Sequence, residues 1–87
     1  MENKKYNLGE KTLIKIYGKV NGCNNCIVVK EKLEKYGIEY NFIDVTQDEE
    51  SLNLIKSLGY RQVPVIENEG DWYTLKTLED LIFSLGY

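Results

Sequence analysis

The spacing of apolar positions along this chain switches between strand-like and helix-like, and the switches mark out its elements. Thr12-Leu13-Ile14-Lys15-Ile16-Tyr17 is an almost unbroken β-branched and aromatic run, which predicts a central strand buried on both faces. Gly18-Lys19-Val20-Asn21-Gly22 then reads as a loop. From Cys23 to Tyr36 the period becomes helical, with Cys26, Val29, Leu33 and Tyr36 on one face and Gly37 where a left-handed cap is wanted. Glu39–Val45 alternates as a second strand. Thr46 with Glu49 predicts a capping box opening a helix with Leu52, Ile55 and Leu58 on its apolar face, closed by Gly59. Val63-Pro64-Val65-Ile66 is a third strand with its proline near the start, where a missing N–H is tolerable. Glu67–Asp71 reads as a hairpin turn and Trp72–Leu75 as the returning strand. Thr77 and Asp80 are expected to cap a last helix carrying Leu78, Leu81, Ile82 and Leu85.

The order is β-α-β-α-β-β-α. A right-handed crossover makes the first two strands parallel, and the hairpin makes the last two antiparallel. The expected fold is α/β, one four-stranded mixed sheet covered by three helices. Residues 1–10 are polar and read as a tail or lead-in, leaving 11–87 as a single domain.

Composition narrows the partners. With 29% charged residues, 43% hydrophobic residues and a net charge of -3, the chain reads as a globular protein without a basic stripe, which argues against nucleic acid. The first seven residues lack the apolar core of a signal peptide, and no apolar run approaches membrane-spanning length. The expectation is a cytoplasmic monomer.

In a reducing compartment a structural disulfide is disfavoured, so the spacing of the only two cysteines, Cys23-Asn24-Asn25-Cys26, points to chemistry. Histidine is absent and two thiolates fill half a zinc shell, so a metal would need a second chain or an external ligand. A C-x-x-C between a strand and a helix is the mark of a thioredoxin-like redox site. Cys23, at the helix start, is the expected nucleophile, because unpaired N–H groups favour its thiolate. Cys26, one turn in on the apolar stripe, is the expected resolving thiol. Lys19 is a candidate source of positive potential beside Cys23. Gln62-Val63-Pro64 is a candidate cis-proline loop facing the cysteines, with the Val63 backbone free to pair with a substrate chain. Trp72 and the tyrosines read as core or surface.

With these constellations placed, the chain resembles the glutaredoxins from Leu13 to Leu85, and within them the NrdH-type redoxins, which deliver electrons to ribonucleotide reductase. The resemblance rests on Cys23–Cys26, on Leu58-Gly59-Tyr60-Arg61-Gln62-Val63-Pro64-Val65, and on Trp72 opening the last strand. It implies a thioredoxin-like, glutaredoxin-type fold and a dithiol–disulfide oxidoreductase acting on protein disulfides, with no bound cofactor beyond its own redox disulfide. Thioredoxin reductase or glutathione would be the electron donor. Glutathione-using members usually carry Cys-Pro-Tyr-Cys and a Gly-Gly pair before the last helix. Here those places hold Asn24-Asn25 and Lys76-Thr77, although Glu79 and Asp80 could still meet the glutathione amine. Two alternatives stay open: a glutathione-dependent glutaredoxin, and an iron–sulfur cluster carrier in which Cys23 of two chains and external thiols hold the cluster.

Overall fold

The computed structural model describes residues 14–87; the start of the first predicted strand and the expected tail lie outside them. Strand β1 (Ile14–Gly18) is followed by helix α1 (Asn24–Lys35), β2 (Asn41–Asp44), α2 (Glu49–Ser57), β3 (Val65–Asn68) and β4 (Asp71–Thr74). A single 3-10 turn at Leu75–Thr77 leads into α3 (Leu78–Ser84). The four strands form one sheet in the order β2-β1-β3-β4. β1 and β2 are parallel, with Ile16 beside Phe42, while β1 with β3 and β3 with β4 are antiparallel. This is the four-stranded mixed sheet with three helices that the element order predicts.

Side-chain alternation divides the strands between two cores. Ile14, Ile16 and Ile66 face one side with Val29 and Leu33 of α1 and Leu78, Leu81 and Ile82 of α3. Tyr17 and Val65 face the other with Val45, just after β2, and Ile55 of α2, backed by half-buried Leu52, Tyr60, Val63 and Trp72. Burial on both faces explains why β1 reads as a continuous apolar run; Lys15 is its one exposed position.

Helix α1 ends as the sequence predicts. Gly37 takes φ 71°, its N–H reaches the Glu34 carbonyl at 3.0 Å, and Ile38 N–H reaches Leu33 O at 2.9 Å. Only a residue without Cβ adopts that backbone cheaply. Gly59 closes α2 in the same way and swings Tyr60 back, its N–H bonded to Ile55 O at 3.0 Å.

The caps of α2 and α3 differ from expectation. Asp48, not Thr46, caps α2, accepting from Ser51 N–H at 3.2 Å. Thr46 instead donates its hydroxyl and its N–H to Asp44 Oδ1 at 2.6 and 2.9 Å, closing the turn after β2. Thr77 stands at the N-cap of α3 but makes no side-chain cap there. Its Oγ1 accepts from Thr74 N–H at 2.9 Å, because the 3-10 turn brings that amide closer. The hairpin turn is also tighter than predicted, only Glu69-Gly70, both with positive φ, so Asp71 belongs to β4 and Leu75 does not. Val63 and Pro64 lie in the loop before β3 rather than in the strand. Among the described residues no helix is long and apolar enough to cross a membrane.

Candidate redox site

Register brings four chain segments to one end of the sheet. Gly18 pairs with Asp44, Tyr17 with Val65, and Val65 with Thr74, so β1, β2 and β4 end where β3 begins. The loop after β1 carries Lys19 to Cys23, and the loop before β3 carries Arg61 to Pro64, so the two meet at that end. Asp44 anchors the first loop. Hydrogen bonds from the Thr46 hydroxyl and amide, with a further one from the Val20 backbone, hold its carboxyl below the usual range.

Cys23 is the N-cap of α1, extended at φ -131° and ψ 93°. Its Sγ accepts from Cys26 N–H at 3.1 Å, a role usually filled by a serine or aspartate oxygen. Cys23 and Cys26 are joined as a disulfide with a Cα–Cα separation of 5.3 Å. The two sulfurs sit in different surroundings. Cys23 is half-buried at the mouth of a groove of about 630 Å³, lined by Lys19, Gly22, Asn24, Asn25, Arg61, Gln62 and Val63 among others. Cys26 is 1% exposed, with the Lys19 backbone N–H 3.5 Å from its sulfur.

Gly18 is a further determinant of this geometry. A Cβ on Gly18 would lie 2.7 Å from Cys26 Sγ and 3.1 Å from the Phe42 ring. The buried sulfur therefore packs straight onto backbone, which a larger residue would prevent. A glycine ending an otherwise β-branched strand is the only hint the sequence holds.

The second predicted constellation comes to the cysteines. The Val63–Pro64 peptide is cis, Pro64 is buried, and the Val63 carbonyl oxygen lies 4.0 Å from Cys23 Sγ. Gln62 is exposed and lines the groove. Lys19 borders the groove too, although what it brings to a sulfur is its backbone amide, directed at Cys26. Lys76 lines a neighbouring groove with Asn25, Arg61 and Pro64. Glu79 does not join them: it pairs with Lys32, tying α3 to α1. Asp80 is exposed and borders neither groove. Trp72 belongs to the second core, stacked between Tyr17 and Tyr60 at centroid distances of 5.6 and 6.3 Å. Burial, then Glu67 and Asp48, push the Tyr17 hydroxyl pKa up. Among the described residues no group of three or more histidine, cysteine or acidic side chains is arranged to hold a metal.

A vicinal cysteine pair opening a helix, met by a cis-proline loop at one end of a mixed sheet, places the molecule among the thioredoxin-like redox proteins. The chain belongs to the glutaredoxin family, whose family model matches residues 14–72. Its fold is similar to that of the glutaredoxin-like protein NrdH-redoxin from Escherichia coli, at 25% identity and TM-score 0.71 over 78% of this chain and 92% of that one. The thioredoxin-like protein BC3987 is also similar, at 25% identity and TM-score 0.67 over 78% and 97%. A glutaredoxin from Archaeoglobus fulgidus shares the fold at 23% identity and TM-score 0.63, over 92% and 98%. No curated protein sequence matches.

Proposed function

We propose that this protein is a dithiol–disulfide oxidoreductase that reduces protein disulfides, with Cys23 as nucleophile and Cys26 as resolving thiol. The observation that carries this is the unequal setting of the two sulfurs, one at the mouth of a groove and one sealed beneath it. In the reduced state the Cys26 amide and the first turn of α1 favour a Cys23 thiolate over the thiol. That thiolate attacks one sulfur of the substrate disulfide, forming a mixed disulfide and expelling the other substrate sulfur, which takes up a proton. Cys26, having lost its proton, then attacks Cys23 Sγ, closing the Cys23–Cys26 bond and releasing the second substrate thiol. Two electrons pass from the cysteine pair to the substrate, with one proton from Cys26 and one from solvent. The Val63 backbone, its carbonyl 4.0 Å from Cys23 Sγ at the groove, supplies a place for the substrate chain to pair.

Cys23→Ser abolishes this reduction. Cys26→Ser retains the attack and accumulates a mixed disulfide on Cys23, visible by intact-mass spectrometry as a stable adduct. An adduct formed on Cys26 in preference to Cys23 reverses the roles.

For the electron donor, the proposal is a flavin-dependent thioredoxin reductase rather than glutathione, with an enzyme such as ribonucleotide reductase as acceptor in the cytoplasm. Lys76 and Thr77 carry Cβ atoms where glutathione needs close approach to the backbone, and Glu79 is engaged by Lys32. The relative with 25% identity described as having a thioredoxin-like activity profile points the same way. Reduction rates with each donor at matched conditions decide it: rapid turnover with glutathione and none with the reductase establishes the glutathione-dependent reading. A brown, cluster-absorbing preparation would instead establish the carrier.

A further inference from the structure

The chain carries 14 acidic against 11 basic residues, yet the surface around its cysteines is charged the other way. Three grooves run along the Arg61–Pro64 loop. The one holding Cys23 is bordered by Lys19 and Arg61, the next by Lys56 and Arg61, and the third by Arg61 and Lys76. No aspartate or glutamate borders any of them. Arg61 is common to all three and is exposed, and neither it, Lys56 nor Lys76 makes an ion pair among the described residues. Along the chain the nearest acids are Glu50 to Lys56, Glu67 to Arg61 and Glu79 to Lys76, and none of them borders a groove.

Unpaired cations gathered at the reacting end of an acidic protein select partners by charge. We propose that the disulfide this protein reduces is presented on an acidic polypeptide segment, held by Arg61 with Lys19 and Lys76 on either side of the cysteine pair. This rests on the disulfide-reductase reading above. The groove of about 630 Å³ that holds Cys23 offers a short ligand two of the cations, whereas a chain crossing the loop engages them in successive grooves. Arg61 acts here as a specificity residue and has no part in the electron transfer.

The test uses the reduced full-length protein and three synthetic peptides with one identical disulfide, flanked by Glu/Asp, Gln/Asn or Lys/Arg. Single-turnover rates are measured below saturation at 20 mM and 500 mM salt, with glutathione disulfide as a fourth substrate. The expected result is an acidic-over-neutral preference of about tenfold at low salt, falling to about twofold at high salt, as for a few exposed ion pairs acting together. In the double variant Arg61→Glu, Lys76→Glu the order inverts and the basic peptide leads; comparing peptides within one variant removes any general loss of activity. Acidic and neutral peptides reduced within twofold of each other at low salt overturn the proposal and leave the reductase reading intact. Glutathione disulfide outrunning every peptide overturns it as well, assigning the cations to the tripeptide's carboxylates. If no peptide is reduced, the reductase reading falls with it.

Discussion

The two faces of the sheet are built unequally. One is covered by α1 and α3 and buries nine residues, among them Ile16, Val29, Leu33, Ile66 and Leu81 with essentially no exposure. The other is covered by α2 alone, buries four, and relies on half-exposed neighbours, with Ile55 the one fully buried residue of α2. The grooves along the Arg61–Pro64 loop lie on the thin face, where Leu52, Tyr60 and Val63 line them while backing that core. Stability and access are thus divided between opposite sides of one sheet, and the cysteine pair sits at the end where both meet. A second covering helix would add buried area and close the approach to Cys23.

The largest expected effect tests this division directly. Leu33→Ala on the thick face should cost about 3–5 kcal/mol and Ile55→Ala on the thin face about 2–3 kcal/mol, because a cavity among rigid neighbours collapses less than one beside half-exposed side chains. Urea unfolding of both variants measures the difference, and hydrogen exchange should show α2 amides opening before those of α1. Equal costs would remove the asymmetry.

A smaller effect sharpens the point where the faces meet. Gly18→Ala puts a methyl 2.7 Å from Cys26 Sγ, on the thick side, so the sulfur or the strand must shift. A loss of about 1–3 kcal/mol is expected. Under the proposed roles the variant should also slow closure of the Cys23–Cys26 bond more than the initial attack, read by stopped-flow as a longer-lived mixed disulfide. Wild-type closure rates in the variant would detach Gly18 from the chemistry.

The smallest effect is electrostatic and belongs to the thick face. Tyr40 packs against that core and donates its hydroxyl to Glu34, and burial followed by this bond pushes its pKa from 10.0 up to about 12. The folded state keeps a proton that the unfolded chain gives up near pH 10. The stabilisation is therefore whole below pH 10 and lost as the pH rises towards 12. Difference absorbance at 295 nm between wild type and Tyr40→Phe should show one phenol titrating near pH 12, and the variant should lose less stability over that interval.

Much of this arrangement is legible in the sequence, for reasons that are local. The buried run to Tyr17 and the Cys26–Val29–Leu33 stripe carry their own period, and Gly37 marks its own cap. The errors arise where several residues compete for one role. Thr46 and Asp48 are both good caps, and Asp44 decides between them by taking Thr46. Thr77 looks like a cap until the 3-10 turn offers it the Thr74 amide instead. Contacts between distant segments leave no periodic trace: nothing along the chain announces that Lys32 holds Glu79, that Gly18 makes room for Cys26, or that Arg61 borders three grooves. The cysteine pair and the Gln62-Val63-Pro64 loop are short motifs, and the register of β1 with β3 brings them together.

That register also fixes what stands farthest from the sulfurs. Asn68 lies beside Ile14 at the opposite end of the sheet, so the Glu69-Gly70 turn projects away from Cys23. For anyone wishing to fuse, tether or immobilise the molecule, this tight and exposed turn is the natural handle. A protein held there presents the Cys23 end outward, as a probe tip rather than a buried label.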